Sequence, residues 1–198
     1  SESSMIWSDV ASSSRVAAAV AEYRVREVEW RVSRFDLLSA EFEISQEQLP
    51  AWHSNEYKRL VKTPKLHSVD TGMMCAVRGL NRERLLKQPG DFGLVLESFV
   101  YNELRKQAVW IEEPLNFYHY RDKDKVEVDV IIENAMGDCF AIEVKAAATL
   151  STKDFTGLKR FQSVAGKRFK IGVLLYDGDH TTAFGDNLFA VPLGALWS

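Results

Sequence analysis

Two cysteines in 198 residues, Cys75 and Cys139, are too few for a disulfide scaffold or a zinc site. Cys139 opens an apolar run and reads as a reduced packing residue. No apolar run approaches the ~20 residues of a membrane span. The Met5 to Val20 stretch is small and polar rather than a charged start followed by an apolar block, so no secretory signal is expected and the expected location is cytoplasmic. The four histidines, His53, His67, His119 and His180, have no mutual ligand spacing, and His119 reads as a packing or hydrogen-bonding residue. No Gly-x4-Gly-Lys-Ser/Thr stretch occurs: Ala165-Gly-Lys-Arg168 lacks the first Gly and the hydroxyl that would reach Mg²⁺, which excludes ATP hydrolysis through a P-loop here. A net charge of −3 argues against tight non-specific DNA binding by the chain as a whole.

What remains is a chain that is 46% hydrophobic and long enough to bury about 70% of its unfolded surface. Two stretches stand out, Val126-Glu-Val-Asp-Val-Ile-Ile132 and Phe140-Ala-Ile-Glu-Val-Lys145. Both alternate apolar and polar residues at the repeat of a strand. That places Glu127 and Asp129 on one face, with Val126, Val128, Val130 and Ile132 on the other. In the second run, Glu143 and Lys145 share a face with Ala141. Asn134-Ala-Met-Gly-Asp138 reads as a turn between them, so the pair forms an antiparallel hairpin. If Ile131 pairs with Ala141, Asp129 lies opposite Glu143 and Glu127 opposite Lys145. Such a patch is either a solvated face with cross-strand ion pairs, each contributing about 0.2–1 kcal/mol, or a chemical site.

Upstream, Leu96, Phe99, Val100 and Leu104 recur at the spacing of one buried helical stripe over Gly93 to Leu104. At about 100° per residue, Glu97 falls at the edge of that stripe and Glu103 within it. A carboxylate on the core side needs a cation, a hydrogen-bond network or a metal. For Glu103 an Arg or backbone partner serves equally well. The order then continues with an aromatic strand, Leu115 to Arg121, the hairpin, a helix from about Lys153 to Ala165 opened by a Ser151/Asp154 capping box and ended by Gly166, and an apolar strand, Phe169 to Tyr176. Two strands joined through a helix should be parallel. The expected fold is α/β, an α-β-β-β-α-β mixed sheet covered on both faces.

The spaced residues Gly93-x3-Glu97-x2-Val100, Asp129 and Glu143-Val-Lys145 resemble the PD-(D/E)XK restriction-endonuclease-like superfamily. The resemblance implies that Glu97, Asp129 and Glu143 bind one or two Mg²⁺ or Mn²⁺ ions and that Lys145 positions or activates the attacking water, with Glu103, Arg121 and Glu127 as auxiliary candidates. Val128 stands where the nominal motif has Pro. Hard divalent ions want carboxylate oxygens, and a phosphodiester needs its developing charge neutralised. Carboxylates crowded together should have raised pKa values until a cation joins them, so a divalent ion should stabilise the fold.

The longer run Asn55 to Gly72, with the Gly93 helix, Arg121, Glu127-Val-Asp129 and Ile142-Glu-Val-Lys145, is similar to the C-terminal domain of unknown function of prokaryotic predicted AAA+-type ATPases. It implies a metal-dependent nuclease domain acting on DNA, normally following an ATPase module that this chain lacks. The alternative is a catalytically inactive module for ATPase docking, homo-oligomerisation or nucleic-acid binding, with Glu97, Asp129, Glu143 and Lys145 in a closed ion-pair network. A chain beginning with Ser is expected to be an excised piece of a longer protein or a relative without the motor.

The expected domains are a helical appendage over 1–50, a winged-helix-like remnant by the same resemblance, and a nuclease-like domain over 51–198. Residues Arg15 to Val32 read as a helix capped by Ser12 to Ser14, and five Lys/Arg against nine Asp/Glu in residues 1–50 argue against DNA binding there. Positive charge gathers in Lys58, Arg59, Lys62 and Lys65, and in Lys159, Arg160, Lys167, Arg168 and Lys170. These are phosphate contacts if they flank the Asp129 patch and solvated faces otherwise. Asp70 is read as capping a helix whose Met73, Met74 and Val77 pack inward.

Overall fold

The computed structural model describes residues 46–197; the Arg15 to Val32 helix and the winged-helix-like reading of the leading segment lie outside the described residues. In chain order the elements are β1 (Gln46–Leu49), α1 (Glu56–Arg59), β2 (Lys65–Ser68), α2 (Thr71–Val77), α3 (Arg82–Lys87), α4 (Pro89–Ala108), β3 (Asn116–Arg121), β4 (Glu127–Glu133), β5 (Cys139–Lys145), α5 (Thr156–Ala165), β6 (Phe169–Tyr176), β7 (Thr182–Gly185) and β8 (Leu188–Pro192). Short 3₁₀ turns precede α5 (Thr152–Phe155) and close the chain (Leu193–Trp197).

Two sheets result, both α/β in setting. β1 and β2 form a small antiparallel pair, and the six-stranded mixed sheet runs β3-β4-β5-β6-β8-β7. β3, β4 and β5 are the antiparallel meander, and β5 pairs with β6 in parallel, as two strands joined through a helix must. The β4–β5 turn is closed by Asn134, whose Oδ1 accepts from the amides of Met136 and Asp138, with Gly137 at φ +80°. The capping box at Ser151 and Asp154 forms as the sequence indicates, and Asp70 accepts from the Met73 amide to start α2. Val77 on that helix, however, is exposed and Met73 and Met74 are only half-buried, so the three do not pack inward as a set. The pairing of β8 and β7 beyond β6 was not legible in the chain.

The large sheet separates two apolar layers. Val128, Ile131, Ala141, Leu158, Phe161 and Leu174 belong to the layer shared with α5, whereas Leu96, Val100, Val130, Ile142, Val144 and Val173 belong to the layer shared with α4. Leu96, Phe99, Val100 and Leu104 all enter the α4 layer, matching the helical stripe. Leu49 of β1 is fully buried in the same layer.

One expectation from strict alternation fails. Val128 lies with Ile131 in the α5 layer, while Val130 and Ile132 lie in the α4 layer. The cause is a register shift: Tyr118 pairs with Ile131 but Tyr120 with Val128, so His119 alone faces both Asp129 and Val130. An extra residue in one strand reverses the face of everything before it and re-aims the side chains beside it. The bulge falls on Asp129.

Candidate functional site

Asp129, Glu97 and Glu143 come from three different elements, β4, α4 and β5, and converge at the carboxyl end of β5, where open α/β sheets commonly hold ligands. The β4–β5 ladder includes Ile131↔Ala141 and ends at Val130↔Ile142. Beyond it the Asp129 carboxylate takes over from the backbone. Its Oδ2 accepts from the Val144 amide at 3.0 Å, and its Oδ1 accepts from Lys65 Nζ at 2.9 Å. Lys65 Nζ also stands 2.7 Å from Glu97 Oε2, so one ammonium bridges the two carboxylates. The Asp129 side chain is only 9% exposed, against 26% for Glu97.

Glu143 completes the cluster. Its residue is partly exposed, yet its Oε2 is sealed from solvent and accepts no hydrogen bond among the described residues. Burial pushes the Glu143 carboxyl well above its ordinary range, reinforced by the Asp129 charge and opposed by Lys145 and Lys65. Burial likewise raises the Glu97 carboxyl, with Asp129 adding to it and Lys65 opposing. For Lys65, burial alone would lower the ammonium, but the charges of Asp129 and Glu97 outweigh it and hold it above its usual value. Lys145, two residues past Glu143, makes no ion pair among the described residues and is felt there as a neighbouring charge.

The auxiliary candidates go elsewhere. Glu127 pairs with Arg121 at 3.0 Å, both half-exposed, because the two are cross-strand partners in β3 and β4, while the β4–β5 ladder that would have set Glu127 opposite Lys145 has already ended. Glu103 pairs with Lys106 at 2.7 Å and accepts from the Trp197 indole. A local cation and a C-terminal aromatic thus satisfy it. The positive clusters are also largely internal: Arg59 and Arg168 pair with Glu133, Arg160 with Asp122 and Asp124, and Lys170 with Asp138, while Lys62 donates to the Arg121 carbonyl. Lys58, Lys159 and Lys167 remain exposed.

Lys65 is the site residue that the sequence does not single out. It falls in a positive cluster that reads as either phosphate contacts or a solvated face, and no spacing rule joins it to Asp129, 64 residues away. Behind it, His67 is buried, stacks on Tyr101 at 4.5 Å and shares a 3.2 Å contact between Nδ1 and Ser98 Oγ. Burial, helped by the Lys65 charge, pushes its imidazole down from 6.5 to about 4. A base with a depressed folded-state pKa stabilises above its unfolded value and loses that contribution as pH falls, here between about 6.5 and about 4. An NMR titration should therefore find His67 neutral at pH 5.5; a midpoint near 6.5 would remove this account of the pocket behind Lys65.

The donor chemistry suits a hard divalent cation, since every oxygen in the cluster is a carboxylate oxygen and Glu143 Oε2 has no donor. As the side chains stand, no group of three or more His, Cys, Asp or Glu among the described residues is gathered closely enough to hold a metal. The ammonium of Lys65 lies between two of the three.

Fold and site together define a mixed α/β domain with a buried carboxylate–lysine cluster at one end of its sheet. The chain belongs to the family described as Domain of unknown function (DUF4143), whose model matches residues 92–196, just over half of its length. A second model, Domain of unknown function (DUF8612), matches residues 34–84. Uncharacterized proteins of Mycobacterium bovis and Mycobacterium tuberculosis are each 28% identical over 145 residues, covering 73% of this chain. The chain spans 31% of the length of these relatives. No solved structure matches it. Among the described residues no helix is long and apolar enough to cross a membrane.

Proposed function

We propose that this chain carries a metal-dependent phosphodiester-hydrolysing site of the PD-(D/E)XK kind, acting on DNA. The observation that supports it best is the convergence of Glu97, Asp129 and Glu143 with a buried Glu143 oxygen that no donor among the described residues satisfies. The run of elements from α4 through β3, β4, β5 and α5 to β6 has the α-β-β-β-α-β order of that fold. Glu97, Asp129 and Glu143 would hold Mg²⁺ or Mn²⁺, which when bound neutralises phosphate charge and acidifies water. Lys145 would donate from its ammonium to the water or to a phosphate oxygen. Asp129 is oriented for its part by the Val144 amide, and Glu97 is carried on α4. The relatives are about three times as long as the matched part, leaving room for the AAA+-type ATPase module that we propose works with this domain.

A specific observation favours a second reading. Lys65 already pairs with Glu97 and Asp129, so the domain would also serve as an inactive module whose closed ion-pair network runs through Lys65 rather than Lys145. Labelled single- and double-stranded DNA, incubated with Mg²⁺ or Mn²⁺, separates the two. The wild-type chain should cleave, Asp129→Ala should fall to background, and Lys145→Ala should lose on the order of a hundredfold. No cleavage by the wild type, with no metal-induced rise in melting temperature, would give the site to the second reading.

A further inference from the structure

We propose that Lys65 is the resident cation of this site: its side chain holds the place of the divalent ion until metal enters, and must swing out for metal to bind. The inference rests on the metal-site reading above and adds the residue that controls access. Three observations carry it. The ammonium touches Glu97 Oε2 at 2.7 Å and Asp129 Oδ1 at 2.9 Å, satisfying two of the three carboxylates. The third, Glu143, keeps a buried oxygen without a donor among the described residues. Lys65 also comes from the small β1–β2 sheet, in the part of the chain matched by DUF8612, while all three carboxylates lie in the part matched by DUF4143.

The physical argument follows from charge and size. Carboxylates this close repel one another unless a cation lies among them. A single ammonium supplies one charge and keeps oxygens at hydrogen-bonding distance. Mg²⁺ supplies two and draws oxygens in to about 2.1 Å. Exchange would thus contract the cluster and give Glu143 Oε2 the partner it lacks. It also explains why the carboxylates are not gathered as a metal site while Lys65 is in place. The flexible four-carbon stem of lysine can leave without any movement of the sheets. Apparent metal affinity is then reduced by the fraction of molecules in which Lys65 is withdrawn.

The test is Mn²⁺ binding, read from the electron paramagnetic resonance signal of free Mn²⁺, together with melting temperature with and without Mn²⁺. Lys65→Met should melt on the order of 5 °C below wild type without metal, bind Mn²⁺ about tenfold or more tightly, and recover its melting temperature when Mn²⁺ is added. Asp129→Ala should abolish binding in either background. If wild type binds Mn²⁺ and Lys65→Met binds it no better, the gate is wrong while the metal site stands. Tighter binding by Lys65→Met without cleavage by any variant would keep the gate and remove hydrolysis. Should neither bind, both ideas fall. If Lys65→Met does not fold, Lys65→Arg keeps the charge and contacts; it should bind Mn²⁺ no better than wild type, and tighter binding would overturn the proposal.

Discussion

Replacing Glu133 with alanine should cost about 3–5 kcal/mol, the range found when one partner of a buried ion pair is removed. For a domain of this size that is a fall in melting temperature on the order of 10 °C. Glu133, at the end of β4, receives Arg59 through both terminal nitrogens at 3.1 and 3.0 Å, the Trp52 indole at 2.8 Å, and Arg168. Arg59 also lies 4.6 Å from the centre of the Tyr118 ring, so its guanidinium is enclosed on several sides. Without the carboxylate, Arg59, 9% exposed in the fold, would lose its counter-charge and keep only the His53 carbonyl and its ring contacts; Arg168, about a third exposed, would lose much less. Burial by itself would raise the Glu133 carboxyl, but the hydrogen bonds from Arg59 and Trp52 and the charges of Arg59 and Arg168 bring it below its usual value. A carboxyl with a depressed folded-state pKa stabilises above its unfolded value, near 4.5, and that contribution is lost as pH falls. The gap between wild type and Glu133→Gln should accordingly be widest at neutral pH and shrink below about 4.5. A Glu133→Ala protein melting within 2 °C of wild type would refute the assignment. The network also fastens the Trp52–Arg59 segment that leads to Lys65, so this variant should loosen the site as well.

The second large effect is expected at Gly157. This residue sits near the start of α5, where a Cβ would lie 2.1 Å from the Glu127 carbonyl oxygen and 3.5 Å from Val128 Cγ2. Backbone cannot rotate away as a side chain does, so the helix or strand must shift. Overpacking typically costs 1–3 kcal/mol where side chains yield, and Gly157→Ala should exceed about 3 kcal/mol. Circular-dichroism melting should show a loss on the order of 10 °C, and Gly157→Val should fail to fold. Melting of the alanine variant near wild type would mean that α5 does not approach β4 as closely as described. Because the strand pushed is the one carrying Asp129, the metal-site proposal also requires weakened Mn²⁺ binding in any alanine protein that folds.

These two positions show how unequally the sequence reveals this fold. The α4 stripe is legible because its four apolar residues obey a 3.6-residue period, and β6 because an eight-residue apolar run between a helix-ending Gly166 and a turn has the length of a buried strand rather than of a helix. The β4–β5 pairing is legible because both strands alternate and a short Asn/Gly turn leaves few registers. Glu133 gave no signal of its own. One carboxylate at a strand end looks solvated until the chain returns Arg59 and Arg168 to it from 74 and 35 residues away.

The carboxylate site divides along the same line. Glu97, Asp129, Glu143 and Lys145 could be singled out in sequence because each is a polar interruption of a regular apolar pattern, and such interruptions are costly unless they are used. Local periodicity, turn chemistry and capping, which depend on neighbours a few residues apart, fixed the helices and strands that carry them. What only the tertiary structure decided is which side chains meet. The bulge opposite His119 turned Val128 away and re-aimed Asp129, the early end of the β4–β5 ladder released Glu127 to Arg121, and a lysine from the separate small sheet came to lie between two of the carboxylates. Contacts of that kind depend on long-range packing, and a one-residue offset in a strand reverses them, so no local pattern can carry them.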